Sequence, residues 1–167
     1  MLNNYIRTNN LLPGDAVVVR KDILGLLDHY LIYLGIESNR HQFIVNYGSG
    51  TRILQYSDIY EFSREYSPSR IRRFLGNHVQ RRAAVNRALN QKDQDSYHLI
   101  LNNCEHFANY VQSGTSYSQQ TTVFGTGLAI SGLALAASSK NDEGKGLGLA
   151  MTLFGMLTLA IESNNNK

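Results

Sequence analysis

Two uncharged apolar runs dominate the end of the chain: residues 123–137, "VFGTGLAISGLALAA", and 146–161, "GLGLAMTLFGMLTLAI", separated by the polar stretch "SSKNDEGK". Apolar runs of this length on either side of a polar turn predict a helical hairpin. Each run is shorter than the ~20 residues that cross a bilayer comfortably. The hairpin is therefore expected to do one of three things: pack on its own domain, make an oligomer contact, or associate with a membrane, the last being the preferred expectation. A Gly, Ser and Asn bias sets in only after about residue 110. The chain is accordingly divided into a globular domain, residues 1–120, and an apolar hairpin, residues 121–167.

The front part is strand-rich. Pro13-Gly14-Asp15 signals a turn, and the β-branched "AVVVR" that follows reads as a short buried strand. "YLIYLG" (30–35), "FIVNYG" (43–48) and "TRILQY" (51–56) read as consecutive antiparallel strands, with "IESNRHQ" as the polar connection between the first two. Residues 78–91 place Val79, Ala83, Val85 and Leu89 among charges at near-helical spacing, which predicts an exposed amphipathic helix. The fold class is α+β: a small antiparallel sheet packed against a cysteine-bearing helix, with the hairpin as an appendage.

Charge is unevenly spread. The net charge is only +3, but Arg64, Arg70, Arg72, Arg73, Arg81, Arg82 and Arg87 fall in a window where Glu65 is the sole acid. Such a patch attracts phosphates, of nucleic acid or of an anionic membrane surface, unless it is a solvated helix face with scattered salt bridges. No nucleic-acid motif with interleaved aromatics accompanies it, so an anionic membrane surface is the expected partner and nucleic acid is not.

Cys104 is the only cysteine, so no intramolecular disulfide can form. The N-terminus "MLNNYIRTNN" has neither a basic segment nor an apolar one of the secretory kind, and a reducing, cytoplasm-facing location is expected. In "LNNCEHFANYVQ", Asn102 or Asn103 can cap a helix along which Phe107, Tyr110 and Val111 recur at spacings of three and four, so Cys104 falls in its first turn. A lone cysteine is often just a small buried apolar group. At a helix N-terminus, however, the macrodipole and unpaired N–H groups favour thiolate and can later hold an oxyanion.

A thiol nucleophile needs a base, and the chain has His29, His41, His78, His98 and His106. His106 lies about 200° around the helix from Cys104 and points away. His29 immediately precedes a strong strand and is the candidate general base, with its second ring nitrogen needing an acceptor. If Leu34 faces Phe43, then Leu31 lies opposite Asn46, and His29 and Asn46 share a face; Asn46 is the candidate that orients His29. A slip of one residue would send Asn46 to the other face. His41, expected in the connecting loop, is the second choice. Glu105 suits the helix dipole and is read as structural rather than catalytic. No cofactor and no metal is expected, and the oligomeric state is left open.

Gly14-Asp15 before a β-run, His29 leading into a strand that ends Tyr-Leu-Gly, and Asn103-Cys104-Glu105-His106-Phe107 together resemble the lecithin:retinol acyltransferase family. The likeness spans about residues 11–112. That family is a circularly permuted branch of the NlpC-type papain-like thiol enzymes, with histidine before cysteine as here. The resemblance implies a Cys104 thioester formed from an acyl ester, typically of a phospholipid, with His29 as base and an alcohol, amine or water as acceptor. It also carries differences: Asn46 stands where many members have a second histidine, and Tyr30 where a tryptophan often follows the first. A peptidase or amidase of the same catalytic plan, and a catalytically silent membrane-associated binding module with a buried Cys104, are the alternatives.

Overall fold

The computed structural model describes residues 2–21, 27–48, 50–55, 57–59, 68–95, 98 and 103–165. Two compact units divide the chain, Met1–Ser116 and Tyr117–Lys167; the compositional change puts the boundary slightly later, at 120/121.

The first unit is α+β. Its elements are α1 (Leu2–Thr8), β1 (Ala16–Lys21), β2 (Leu27–Glu37), β3 (Arg40–Asn46), β4 (Thr51–Ile53), β5 (Pro68–Arg72), α2 (His78–Asn90) and α3 (Cys104–Ser113). The five described strands form one antiparallel sheet in the order β4-β3-β2-β1-β5. Strand alternation gives it two apolar faces. Val18, Tyr30, Ile32 and Ile44 pack with Cys104, Phe107 and Val111 of α3 and Ala84 and Ala88 of α2. Val17, Leu31, Tyr33, Phe43 and Val45 pack with Ile6 of α1 on the other.

The β2–β3 connection is much shorter than its polar composition suggests. Only Ser38 and Asn39 lie between the strands, both at positive φ (49° and 63°), the geometry of a two-residue primed hairpin turn. His41 is therefore in β3 rather than in a loop. The register also differs from the expected one. Tyr33, not Leu34, pairs with Phe43, and a bulge follows before Gly35 pairs with Gln42. Gly35 accommodates it at φ +117°, where a side chain would be strained.

Strand β5 was not anticipated from the sequence. It lies at the sheet edge along β1, where Pro68 at its first position breaks no interior ladder. Helix α2 forms where expected but buries Ala84 and Ala88, while Val79 and Leu89 of the supposed apolar stripe are exposed. Small alanines let the helix approach closely, and arginines on either side of them reach across to fixed acceptors.

Those arginines explain most of the basic window. Asp15, fully buried, pairs with Arg73 (2.8 Å) and Arg81 (2.9 Å), and its carboxylate also accepts the N–H groups of Leu12 and Phe74. Burial alone would raise this carboxyl's pKa; the donors from Arg81, Phe74, Arg73 and Leu12 outweigh it and hold it below its ordinary value. Arg87 donates to the Val111 carbonyl near the end of α3, and Arg72 to Gln112. Arg70 pairs with Asp28. Arg82 is exposed, and Arg64 lies outside the described residues. Among the described residues three of the window's arginines, Arg70, Arg73 and Arg81, thus form salt bridges, and Arg72 and Arg87 are held by neutral acceptors.

The second unit is a helical hairpin of α4 (Gln119–Ser138) and α5 (Asp142–Asn165). Both helices outrun the apolar runs that announced them, leaving only residues 139–141 as the turn. By length and composition both suffice to cross a membrane. They meet through small residues: a Cβ on Gly132 would lie 2.5 Å from the Gly148 carbonyl, and one on Gly155 would lie 2.5 Å from that of Gly125. Ser118 caps α4 by accepting from Thr121 N–H, while the Glu162 carboxylate, near the end of α5, accepts the N–H of Ser118.

Candidate active site

Helix α3 starts at a capping box built on Asn103. Its side-chain oxygen accepts the N–H groups of Glu105 (2.9 Å) and His106 (3.1 Å), and its own N–H donates to Nδ1 of His106 (3.3 Å). Of the two asparagines, Asn103 is the cap. His106 takes the place Glu or Gln usually holds in this motif; it is fully buried and turned to the backbone, as its position around the helix requires.

Capping fixes Cys104 as the first helical residue, over the backbone of β2. Its Sγ lies 3.8 Å from Nδ1 of His29, and its thiol donates to the carbonyl of Asp28 at 3.3 Å. The thiol and the imidazole selected from sequence are thus brought together from residues 75 apart in the chain. The N–H groups of Tyr30, Cys104 and Glu105 favour thiolate, as expected of a helix N-terminus, but burial outweighs them, and with the Glu105 charge nearby the thiol pKa is pushed up to about 11. Burial thus opposes the lowering that a helix N-terminus by itself would bring.

The register places the residues around His29. Continuing the Ile32–Ile44 pairing along both strands sets Tyr30 across from Asn46 and His29 across from Tyr47. The His29 and Tyr47 rings do meet, edge to face, at 4.9 Å between centroids. Strand alternation then puts Asn46 on the Tyr30 side, so the shared-face argument for Asn46 does not survive, although the residue is fully buried. Tyr47 was missed; the signal that could have found it is Gly35, the residue where the register shifts.

His41 is elsewhere. It pairs with Ile36 near the hairpin turn, and its Nδ1 is 2.8 Å from the Tyr33 hydroxyl. Burial, and Arg7 secondarily, lower its pKa. It also lines an open cavity of about 740 Å³ with Arg40, Arg52 and Lys92. His78 opens α2, and His98 is an exposed residue.

Glu105 is buried beside Cys104 and accepts from the Tyr30 hydroxyl at 3.4 Å. Arg70 donates to the same hydroxyl at 3.3 Å and pairs with Asp28 at 3.0 Å, and the Arg72 guanidinium stands 5.2 Å from the Tyr30 ring centre. Burial raises the Tyr30 phenol to about 12, with the Glu105 charge adding to it, so the phenol stays a hydrogen-bond donor. This network ties the first turn of α3 to the segment of β2 that carries His29. Among the described residues no group of three His, Cys, Asp or Glu side chains could hold a metal ion.

A family model described as lecithin retinol acyltransferase matches residues 9–117, which include every residue of this site. No curated protein matches the sequence.

Proposed function

Because the chain belongs to the lecithin retinol acyltransferase family, whose members are acyl-transferring thiol enzymes, we propose that it transfers acyl groups from phospholipid esters through a Cys104 thioester. The observation that carries this reading is the 3.8 Å approach of Cys104 Sγ to His29 Nδ1 at the N-terminus of α3.

The chemistry follows from that geometry. His29 takes the proton from Sγ as the sulfur attacks the ester carbonyl carbon. The backbone N–H of Cys104 is the first-turn donor left for the oxyanion of the tetrahedral intermediate, those of Glu105 and His106 being held by the Asn103 side chain. Collapse breaks the carbon–oxygen ester bond, and the departing alkoxide receives the proton from His29. An alcohol, amine or water then attacks the thioester, giving its proton to His29, and the sulfur leaves and recovers it. Asn46 and Tyr47 are the candidates for holding the His29 ring, and comparing Asn46→Ala with Tyr47→Ala separates them.

The test is intact-protein mass spectrometry after incubation with mixed phosphatidylcholine and phosphatidylethanolamine vesicles. Wild type is expected to acquire a hydroxylamine-sensitive fatty-acyl adduct, and Cys104→Ala and His29→Ala none. Absence of both adduct and released fatty acid in wild type, with alkylation of Cys104 still dependent on His29, would turn the reading to a peptidase or amidase. Loss of the His29 dependence as well would leave a silent binding module.

A further inference from the structure

Paired helices in water hide their large apolar side chains and turn polar ones outward. The hairpin of α4 and α5 does the opposite. Its buried residues include Gly125, Gly132, Gly148 and Gly155, whereas Ile130, Leu133 and Leu153 are exposed. Leu147, Leu149, Leu153, Phe154, Met156 and Leu157 cover an arc of about 180° on α5 at ~100° per residue.

The lengths and the charges agree with a hydrocarbon surround. Helix α4 carries no charged residue over its 20 positions, about 30 Å at 1.5 Å per residue, which is the thickness of a bilayer core. Helix α5 is uncharged from Gly146 to Ile161, about 24 Å, and lysines at such boundaries reach outward to the headgroups. Lys140, Asp142, Glu143 and Lys145 gather at the turn. Glu162, at the opposite end, is folded inward onto the N–H of Ser118. The hydroxyls of Thr152 and Thr158 bond to carbonyls of their own helix, those of Gly148 (2.8 Å) and Phe154 (2.9 Å), so these polar groups need no water.

We propose that this hairpin crosses a lipid bilayer twice, placing residues 139–141 on one side and both Tyr117 and Asn165 on the other. A second copy docked on one side would cover only part of the apolar arc, whereas hydrocarbon surrounds all of it. The proposal deepens the lipid-directed reading above but rests on the hairpin alone, not on the thiol.

The test uses full-length Cys104→Ala protein carrying either Lys140→Cys or Asn164→Cys, reconstituted into closed phosphatidylcholine and phosphatidylglycerol vesicles and floated on a gradient. A membrane-impermeant maleimide is applied before and after detergent. Opposite placement predicts that the externally labelled fractions of the two variants sum to one. Flotation with both sites fully labelled from outside would overturn it in favour of a surface-lying hairpin. Failure to float, with a dimeric or larger particle in solution, would overturn it in favour of self-association. Leu153→Asp guards against misreading: it should lower vesicle partition on the order of 100-fold if Leu153 faces lipid, and an unchanged partition sinks the proposal. The acyl adduct on wild-type Cys104 is read separately, so the two readings fail independently.

Discussion

The two units solve the problem of burying a chain in opposite ways. Residues 1–116 conceal Phe43, Ile32 and Ile44 and offset each internal charge with donors, as at Asp15. In the hairpin, glycine and threonine lie inside and leucine and phenylalanine outside. A solvent that penalises apolar surface selects the first pattern; one that penalises unsatisfied polar groups selects the second. The contrast teaches that hydropathy alone does not say what is inside.

The largest effects should come from the first unit. Asp15→Ala leaves Arg73 and Arg81 without their shared carboxylate and strands two N–H groups, and should cost about 3–5 kcal/mol in urea unfolding; a loss under about 1 kcal/mol would break the contrast. The same carboxylate sets an acid limit. Its pKa is lower in the folded state than its ordinary value of 3.8, so its contribution is complete above that value and is lost as pH falls through the folded one. Asp15→Asn should remove that slope from a stability–pH series.

Next in size is the hairpin's own packing. Gly148→Leu would drive a side chain into the Ala136 backbone N–H, 2.4 Å from where a Cβ would stand. About 1–3 kcal/mol of helix–helix association should be lost, measured by proteolytic susceptibility in detergent micelles, with the first unit's unfolding unmoved.

A smaller effect concerns the thiol, where burial prevails over the N–H donors around it. Alkylation of Cys104 should climb about tenfold per pH unit up to about 11 rather than level off near neutrality. Glu105→Gln, which removes a nearby negative charge, should speed it roughly threefold to tenfold at fixed pH. A plateau near neutral pH would show that the free protein already holds a thiolate.

The smallest expected effect is the sharpest comparison. Leu153→Ala should change stability in micelles by less than about 0.5 kcal/mol, because the side chain is 68% exposed, while Phe43→Ala in the first unit should cost about 3–5 kcal/mol. Equal losses would mean that the hairpin buries Leu153 in an assembly.

What could be read from the sequence was what is decided locally. An asparagine followed by an amphipathic run placed Cys104 in a first helical turn, because capping and helix periodicity involve neighbours only. The four strands from β1 to β4 and the hairpin were visible for the same reason. What was missed depends on distant partners. The bulge at Gly35 shifted the β2–β3 register by one residue, so that Asn46 falls opposite Tyr30 rather than Leu31 and Tyr47 falls opposite His29; Gly35 marks where a bulge can form, but nothing local says that it does. β5 is held in place by β1, and α2 buries its alanines because Asp15 and Val111 attract the arginines beside them. The thiol's pKa depends on how deeply the first unit closes over it, which the helix start alone does not reveal.

The hydrogen bond from Cys104 to the Asp28 carbonyl bears on durability. Peroxide, like an alkylating reagent, reacts with thiolate. A buried sulfur whose pKa is raised resists conversion to sulfenic and sulfinic acid. With no second cysteine in the chain to rescue an oxidised one through a disulfide, burial is what limits the contact of Cys104 with oxidants.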